Sequence, residues 1–258
     1  MARTLRIALI QSHLHWENPE KNRTMFGEKI NAISEEVDLV VLPEMFTSGF
    51  TMEPGQIDSS EGKQTVEWMQ RLAQQKNTAL TGSIVFQENG NYFNRLFFVE
   101  PNGEYHTYDK KHTFTLAGED KVYEAGKQKL IVEYKGFNIC PLICYDLRFP
   151  VWARNVEDYD VLIYVANWPK PRIEAWDTLL KARAIENMAY CIGVNRIGQD
   201  HLQHEYPGHS AVYDVLGKQM AYSGGEEILY ATLDKEHIES TRKKLRFLED
   251  RDNFSWKG

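Results

Sequence analysis

Residues 139–150 read Ile139-Cys140-Pro141-Leu142-Ile143-Cys144-Tyr145-Asp146-Leu147-Arg148-Phe149-Pro150, an apolar run of strand length that stops at a cysteine. Tyr145-Asp146 and Arg148 break the run, and Pro150 stands where it can open a helix near Val151. Strand, sharp turn and helix in succession expose a nucleophilic side chain and turn backbone N–H groups toward a reacting oxygen. A free cysteine is ordinarily a small buried hydrophobe. Cys140 and Cys191 fit that description; Cys144, followed by polar residues, does not. On one face of an extended strand Cys140 and Cys144 would lie about 13 Å apart, too far for a disulfide. Three cysteines make no disulfide framework and suit a reducing compartment, which predicts a cytoplasmic protein.

Outward from this stretch, helical and strand patterns alternate. Upstream, Leu5–Ile10 reads as a strand, Glu20–Glu36 as a helix with Asn18 as N-cap and Pro19 at its first position, and Asp38–Leu42 as a short buried run. Gln64–Lys76 reads as a helix and Thr78–Phe86 as a strand. Tyr92–Glu100 with Glu104–Tyr108, and Leu130–Tyr134 with Phe137–Ile143, read as hairpins. Downstream, Val161–Ala166 is a strand, Glu174–Tyr190 a helix, Ile192–Asn195, Ser210–Val215 and Ile228–Leu233 are strands, and Asp234–Phe247 is a final helix. This order predicts mixed sheets with helices on their outer faces. The chain has 258 residues and no Pro/Gly/Ser-rich linker, so a single domain over residues 1–258 is expected, with 247–258 as a tail. In that tail Phe254 and Trp256 are candidates to dock on the body or on a second subunit.

Composition narrows the function classes. The chain is 42% hydrophobic and 26% charged, with a net charge of −7. Its basic residues are interleaved with acids, as where Arg242, Lys243, Lys244 and Arg246 are followed by Glu249 and Asp250, which argues against a nucleic-acid partner. No apolar run reaches the roughly 18 residues of a spanning helix, and Met1–Ile10 lacks the apolar length and small-residue site of a signal peptide.

Ligands of open α/β sheets sit beyond the carboxyl ends of strands. Two further reactive groups follow apolar runs there. Val40-Val41-Leu42-Pro43-Glu44 delivers a carboxylate where Pro43 ends the ladder. Tyr105-His106-Thr107-Tyr108-Asp109-Lys110-Lys111-His112 delivers an ammonium. Each alone is equally well a solvated strand end. Together with Cys144 they form a chemical set: Glu44 as base for the thiol, Lys110 and the Tyr145 backbone N–H for a developing oxyanion.

These segments resemble the nitrilase, or carbon–nitrogen hydrolase, superfamily. The resemblance rests on Leu42-Pro43-Glu44-Met45-Phe46, Tyr108-Asp109-Lys110-Lys111-His112, Ile143–Pro150 and Ala182-Arg183-Ala184-Ile185-Glu186-Asn187, in that order along nearly the whole chain. It implies an α/β fold, a four-layer α-β-β-α sandwich with two mixed sheets, and a Glu–Lys–Cys triad falling on Glu44, Lys110 and Cys144. Lys110 rather than Lys111 fits the family's Tyr-x-Lys-x-His pattern. A second, assisting glutamate matches Glu119 in Ala117-Gly118-Glu119-Asp120. The chain departs from many relatives at Val151, where Glu is common. Phe46-Thr47-Ser48-Gly49-Phe50 and Ala166-Asn167-Trp168-Pro169 look most like the ω-amidase branch, which implies hydrolysis of dicarboxylate monoamides such as 2-oxoglutaramate and succinamate through a cysteine thioester. Nitrilase and carbamoyl-amine hydrolase activities are the rivals within the family. The resemblance further implies no metal or organic cofactor, and a homodimer or larger homo-oligomer.

An ω-amide carries a carboxylate at its far end, and a buried anion needs a charged partner. Arg172, after Asn167-Trp168-Pro169-Lys170-Pro171, is the candidate, with Trp168 and Phe114 as pocket walls. A surface arginine and core aromatics are the alternatives. Other chemistries fit less well. A papain-like enzyme would pair Cys144 with His112 or His209, yet no Cys-Gly-x-Cys-Trp context occurs. No G-x-S-x-G, G-x-G-x-x-G or P-loop is present. The histidines at 13 and 15, and at 201, 204 and 209, lack the Cys or carboxylate cluster that would complete a metal site. A non-catalytic binder has no need of a poised thiol.

Overall fold

The computed structural model describes residues 3–254. One six-stranded sheet is built from β1 (Thr4–Gln11), β2 (Leu39–Val41), β3 (Ala79–Glu88), β4 (Asn91–Val99), β5 (Tyr105–Asp109) and the late strand β14 (Glu227–Asp234). Its order is β14-β1-β2-β3-β4-β5, with β1, β2 and β3 parallel and the flanking pairs antiparallel. Helices α1 (Pro19–Asn31) and α2 (Glu61–Lys76) make the two crossovers between the parallel strands. The second sheet contains β6 (Val132–Tyr134), β7 (Phe137–Ile143), β8 (Val161–Ala166), β9 (Tyr190–Asn195), β12 (Ser210–Tyr213) and β13 (Gln219–Ser223). Its order is β13-β12-β9-β8-β7-β6, with β7, β8 and β9 parallel. The short helix α3 (Pro150–Ala153) lies between β7 and β8, and α4 (Ile173–Asn187) connects β8 to β9. A small hairpin of β10 (Ile197–Gln199) and β11 (Glu205–Pro207) follows β9, and α5 (Lys235–Leu245) comes last.

The period of two in the strands explains the layering. In β1, Leu5, Ile7 and Leu9 enter a core shared with the second sheet, while Ala8 and Ile10 face the opposite way onto α1 and α2. Leu39 and Val41 against Val40, and Leu96 and Phe98 against Phe97 and Val99, repeat this division. On the far side, Trp176, Leu180 and Ala184 of α4 and Ile238 of α5 pack on the second sheet. The four layers α-β-β-α follow, as the resemblance implied.

Local chemistry sets the element ends. Asn18 caps α1 by accepting the Lys21 N–H at 3.0 Å, a contact worth about 1 kcal/mol. That helix stops at Asn31 rather than Glu36, because Ser34, Glu35 and Glu36 are exposed and give it no face to bury. The expected Glu174–Tyr190 helix ends at Asn187, where Met188 turns left-handed at φ 45° and Ala189-Tyr190 feed β9. The final helix ends at Leu245, two residues before Phe247, and Phe247 is exposed. In the tail, Arg251 pairs with Asp158 at 2.8 Å while Phe254 remains largely exposed; Trp256 lies outside the described residues. No helix of the described residues is long and apolar enough to cross a membrane.

Candidate active site

Four parallel or flanking strands deliver side chains at one end of the sandwich. Glu44 follows β2 by way of Leu42-Pro43, Lys110 follows β5, Cys144 follows β7 and Asn167 follows β8. Cys144 begins a 3-10 turn, Cys144–Arg148, with φ 43°. A non-glycine residue in that region persists only where its surroundings hold it. Asp146 does so. Fully buried, it accepts hydrogen bonds from the Ile143 N–H (3.0 Å), the Tyr108 hydroxyl (2.7 Å), the His112 N–H (3.0 Å) and His112 Nδ1 (2.8 Å). The acceptor-only carboxylate fixes the Nδ1–H tautomer of His112. Asp146 thereby ties the cysteine turn to the strand that carries Lys110. The His112 ring stacks on Phe149 at 3.6 Å, and buried Arg183 donates to the Leu147 carbonyl at 2.6 Å. The Ala182–Asn187 segment thus supports the same turn from α4.

The charged groups meet behind the thiol. Lys110 Nζ donates to Glu44 Oε1 at 2.9 Å and to Glu119 Oε1 and Oε2 at 3.0 and 2.8 Å. Glu44 also accepts the Asn167 N–H at 2.8 Å and an Asn94 side-chain N–H at 2.8 Å, and its own carbonyl accepts from Asn167 Nδ2 at 2.7 Å. Burial by itself lowers the Lys110 pKa, but Glu119 and then Glu44 outweigh it and hold the ammonium above the ordinary lysine range. Lys110 is therefore a permanent cation, fit to stabilise negative charge and unfit to act as base. Burial, then the facing Glu44 carboxylate, pushes the Cys144 thiol well up, with Lys110 opposing. A thiol held up in this way needs a base at the moment of attack, and Glu44 is the carboxylate that faces it, while the sulfur itself reaches the Asn167 carbonyl at 4.0 Å. Burial also raises the Glu119 pKa, against the pull of Lys110.

Glu44, Lys110, Cys144 and Tyr145 line one cavity of about 970 Å³, and Phe114, Trp168 and Arg172 line it too. All three of the substrate-side candidates therefore face the cavity. The Arg172 guanidinium lies 5.1 Å from the centre of the Phe114 ring, which in turn packs edge-on against Tyr145. Trp168 donates its indole N–H to the Arg172 carbonyl at 2.7 Å. Tyr145 stands in the first turn of the 3-10 helix, where backbone N–H groups lack intrahelical acceptors. Glu119 is fully buried and does not line the cavity; it meets Lys110 from the far side and also accepts the Phe114 N–H.

Sequence reasoning missed several groups. Asp146 was visible as the acid two residues after Cys144, yet its contacts are with Tyr108 and His112, which sequence places far away. Asn94, in mid-strand β4, gives no local signal. Arg148 borders the cavity with its guanidinium over Trp168 at 4.9 Å and, like Arg172, has no carboxylate partner among the described residues. The β10–β11 hairpin, which falls between the expected strands Ile192–Asn195 and Ser210–Val215, adds His201 and Tyr206 to the cavity lining. Of the other histidines, His112 faces Asp146, His209 Asp177 at 2.8 Å, His204 Asp200, His13 Glu226, His106 Glu100 and His237 Asp214, and His15 packs edge-on against His13.

Comparison with known proteins follows this geometry. The family model described as Carbon-nitrogen hydrolase matches residues 6–243. The chain is 43% identical over 252 residues to the omega-amidase YafV of Escherichia coli, an overlap that covers 97% of this chain and 98% of that protein. It is 30% identical over 250 residues to the 2-oxoglutaramate amidase of Bacillus subtilis, covering 95% and 96%. A crystal structure of a CN-hydrolase superfamily protein from Xanthomonas campestris, with an arsenic adduct in its active site, matches with TM-score 0.95 at 39% identity, covering 98% and 99% of the two chains.

Proposed function

Because the chain belongs to the carbon–nitrogen hydrolase family and is a hydrolase of non-peptide carbon–nitrogen bonds, we propose that it cleaves the terminal amide of small dicarboxylate monoamides, 2-oxoglutaramate and succinamate among them. The products are ammonia and the dicarboxylate. The observation that carries this proposal is the meeting of Cys144, Lys110 and Glu44 on one cavity wall, beside two arginines that have no carboxylate partner among the described residues. The similarity to the two amidases supports the substrate class.

In the proposed reaction Glu44 takes the thiol proton as the Cys144 sulfur attacks the amide carbon. The carbonyl π electrons move to oxygen, which Lys110 and the Tyr145 N–H stabilise. One such donor is typically worth about 3 kcal/mol of barrier. The tetrahedral centre collapses, the C–N bond breaks, and Glu44 returns its proton to the departing nitrogen. Water, deprotonated by Glu44, then attacks the thioester carbon, the C–S bond breaks to free the carboxylic acid, and Glu44 returns the proton to the Cys144 sulfur. Arg172 and Arg148, each over an aromatic ring of the cavity wall and neither paired with a carboxylate among the described residues, are the cations able to receive the distal carboxylate. Three free buried cysteines accord with a cytoplasmic location, and the family resemblance with a homodimer or larger homo-oligomer.

The test sets succinamate, a nitrile and a carbamoyl compound side by side with ammonia release as readout. Preference for succinamate is expected, together with loss of turnover in Cys144→Ala. Equal or greater rates on the nitrile or the carbamoyl compound would overturn the substrate assignment.

A further inference from the structure

Asn94 is 1% exposed in the middle of β4, where an apolar residue would serve the core. Its side-chain amide instead donates one N–H to Glu44 Oε1 at 2.8 Å and the other to Glu119 Oε1 at 3.2 Å. Its backbone carbonyl accepts the Lys110 N–H at 3.0 Å. The amide oxygen, by contrast, is buried with no partner among the described residues. Rotating the amide would aim that oxygen at two carboxylates, so the nitrogen must face them. A buried orphan acceptor is costly, and the residue supplies only its two donors in return. Lys110 donates to the same two acids, so a single positive charge is shared between two carboxylates. Without further neutral donors such a pair tends to trap a proton, because two adjacent like charges resist joint ionisation.

We propose that Asn94 is a positioning residue for the hydrolytic reaction: its two N–H groups hold Glu44 and Glu119 side by side and keep a proton from lodging between them, so that Glu44 is free to receive the proton of Cys144. This deepens the amidase assignment and rests on it. The other titratable groups facing the acid pair are the Lys110 ammonium, the Cys144 thiol and the Tyr123 phenol, whose pKa burial and then Glu119 push up, while the Asn167 N–H donates to Glu44 alone and the Phe114 N–H to Glu119 alone. None of these supplies a second neutral N–H donor to Glu44 and Glu119 together.

The experiment measures two pH profiles on the unsubstituted protein and on Asn94→Leu, which keeps the shape and removes both donors, and Asn94→Ser, which retains one hydroxyl. The first profile is kcat/KM for succinamate. The second is the rate of Cys144 alkylation by iodoacetamide, which needs the base but no amide substrate. The acid limb of both profiles is expected to rise by about one pH unit or more in Asn94→Leu, the scale of one hydrogen bond to a charged group, and by less in Asn94→Ser. Rates that fall in either variant with the acid limb unmoved would overturn the proposal and leave Asn94 a packing residue. Should succinamate prove not to be a substrate, the alkylation profile still decides the role of Asn94, so failure of the amidase assignment is read separately.

Discussion

Replacement of Asp146 by Ala is expected to loosen the cysteine turn and unlink it from Lys110. Asp146 is fully buried and receives four hydrogen bonds, two on each oxygen. The Ile143 N–H and the Tyr108 hydroxyl share Oδ2, and both sit in the core. Leaving a buried donor unpaired costs about 1–3 kcal/mol, so these two alone predict a loss of about 2–6 kcal/mol. The two His112 donors are part-buried and add less. At roughly 2–4 °C per kcal/mol for a chain near this size, the melting temperature should fall by about 10 °C. The left-handed Cys144, no longer pinned, should also relax toward ordinary backbone angles, so alkylation and turnover should fall even at temperatures where the variant is folded. Asp146→Asn retains one acceptor oxygen but sets an NH₂ against the other two donors, and should lose a comparable amount. Scanning calorimetry with iodoacetamide labelling at 20 °C below the variant's own transition measures both effects. An Asp146→Ala protein that melts within about 2 °C of the parent and labels normally would refute the assignment of Asp146 as the tie between the two strand ends.

Other outcomes follow from the same structure. Arg172→Ala should raise KM for succinamate about 10- to 100-fold, the worth of a hydrogen-bonded charge pair, with little change for a neutral amide; Arg148→Ala compared in the same assay shows which cation binds the carboxylate, and no selective effect in either would remove both from that role. Gly126→Ala should destabilise and inactivate together, because a Cβ there would stand 2.0 Å from the Asp109 carbonyl oxygen while the Gly126 N–H bonds the Lys110 carbonyl at 2.8 Å; a fully active, stable variant would show that this loop can shift freely. Acid unfolding should involve Asp38. Burial works against its ionisation, yet hydrogen bonds from Arg6 and Lys135 carry its pKa down to about 2 from 3.8. A depressed carboxylate pKa contributes stability that is present above the unfolded value and is lost as the pH falls from about 4 toward 2. In Asp38→Asn that part of the acid dependence should flatten, as followed by circular dichroism against pH.

The parts of the fold legible in sequence were those written in local pattern. Val161–Ala166 was a continuous apolar run bounded by polar residues, and its boundaries hold in β8. Asn18-Pro19 announced α1, and Pro101-Asn102-Gly103 the β4–β5 hairpin. What failed was set by partners far along the chain. Ala189-Tyr190 continued the apolar pattern of α4, but Tyr190 pairs with Val161 of β8 and opens a strand, which leaves Ala189 in the turn between helix and strand. The β13 strand is mostly exposed and held by its pairing with β12, so it lacks an apolar signature. The same division applies at the site. Glu44, Lys110 and Cys144 stood out because each ends a strand, whereas Asn94 and Asp146 look like ordinary polar residues until the sheet brings two acids, or a tyrosine and a histidine, against them.

The most direct measurement mixes the protein with 2-oxoglutaramate or succinamate, quenches in acid within the first turnover, and maps any covalent acyl group by peptide mass spectrometry. An acyl thioester on the peptide containing Cys144, with a matching burst of ammonia and neither signal in Cys144→Ala, is the predicted result. Ammonia released at the parent rate by Cys144→Ala, or an acyl group found on any other residue, would contradict the role given to the thiol at the end of β7.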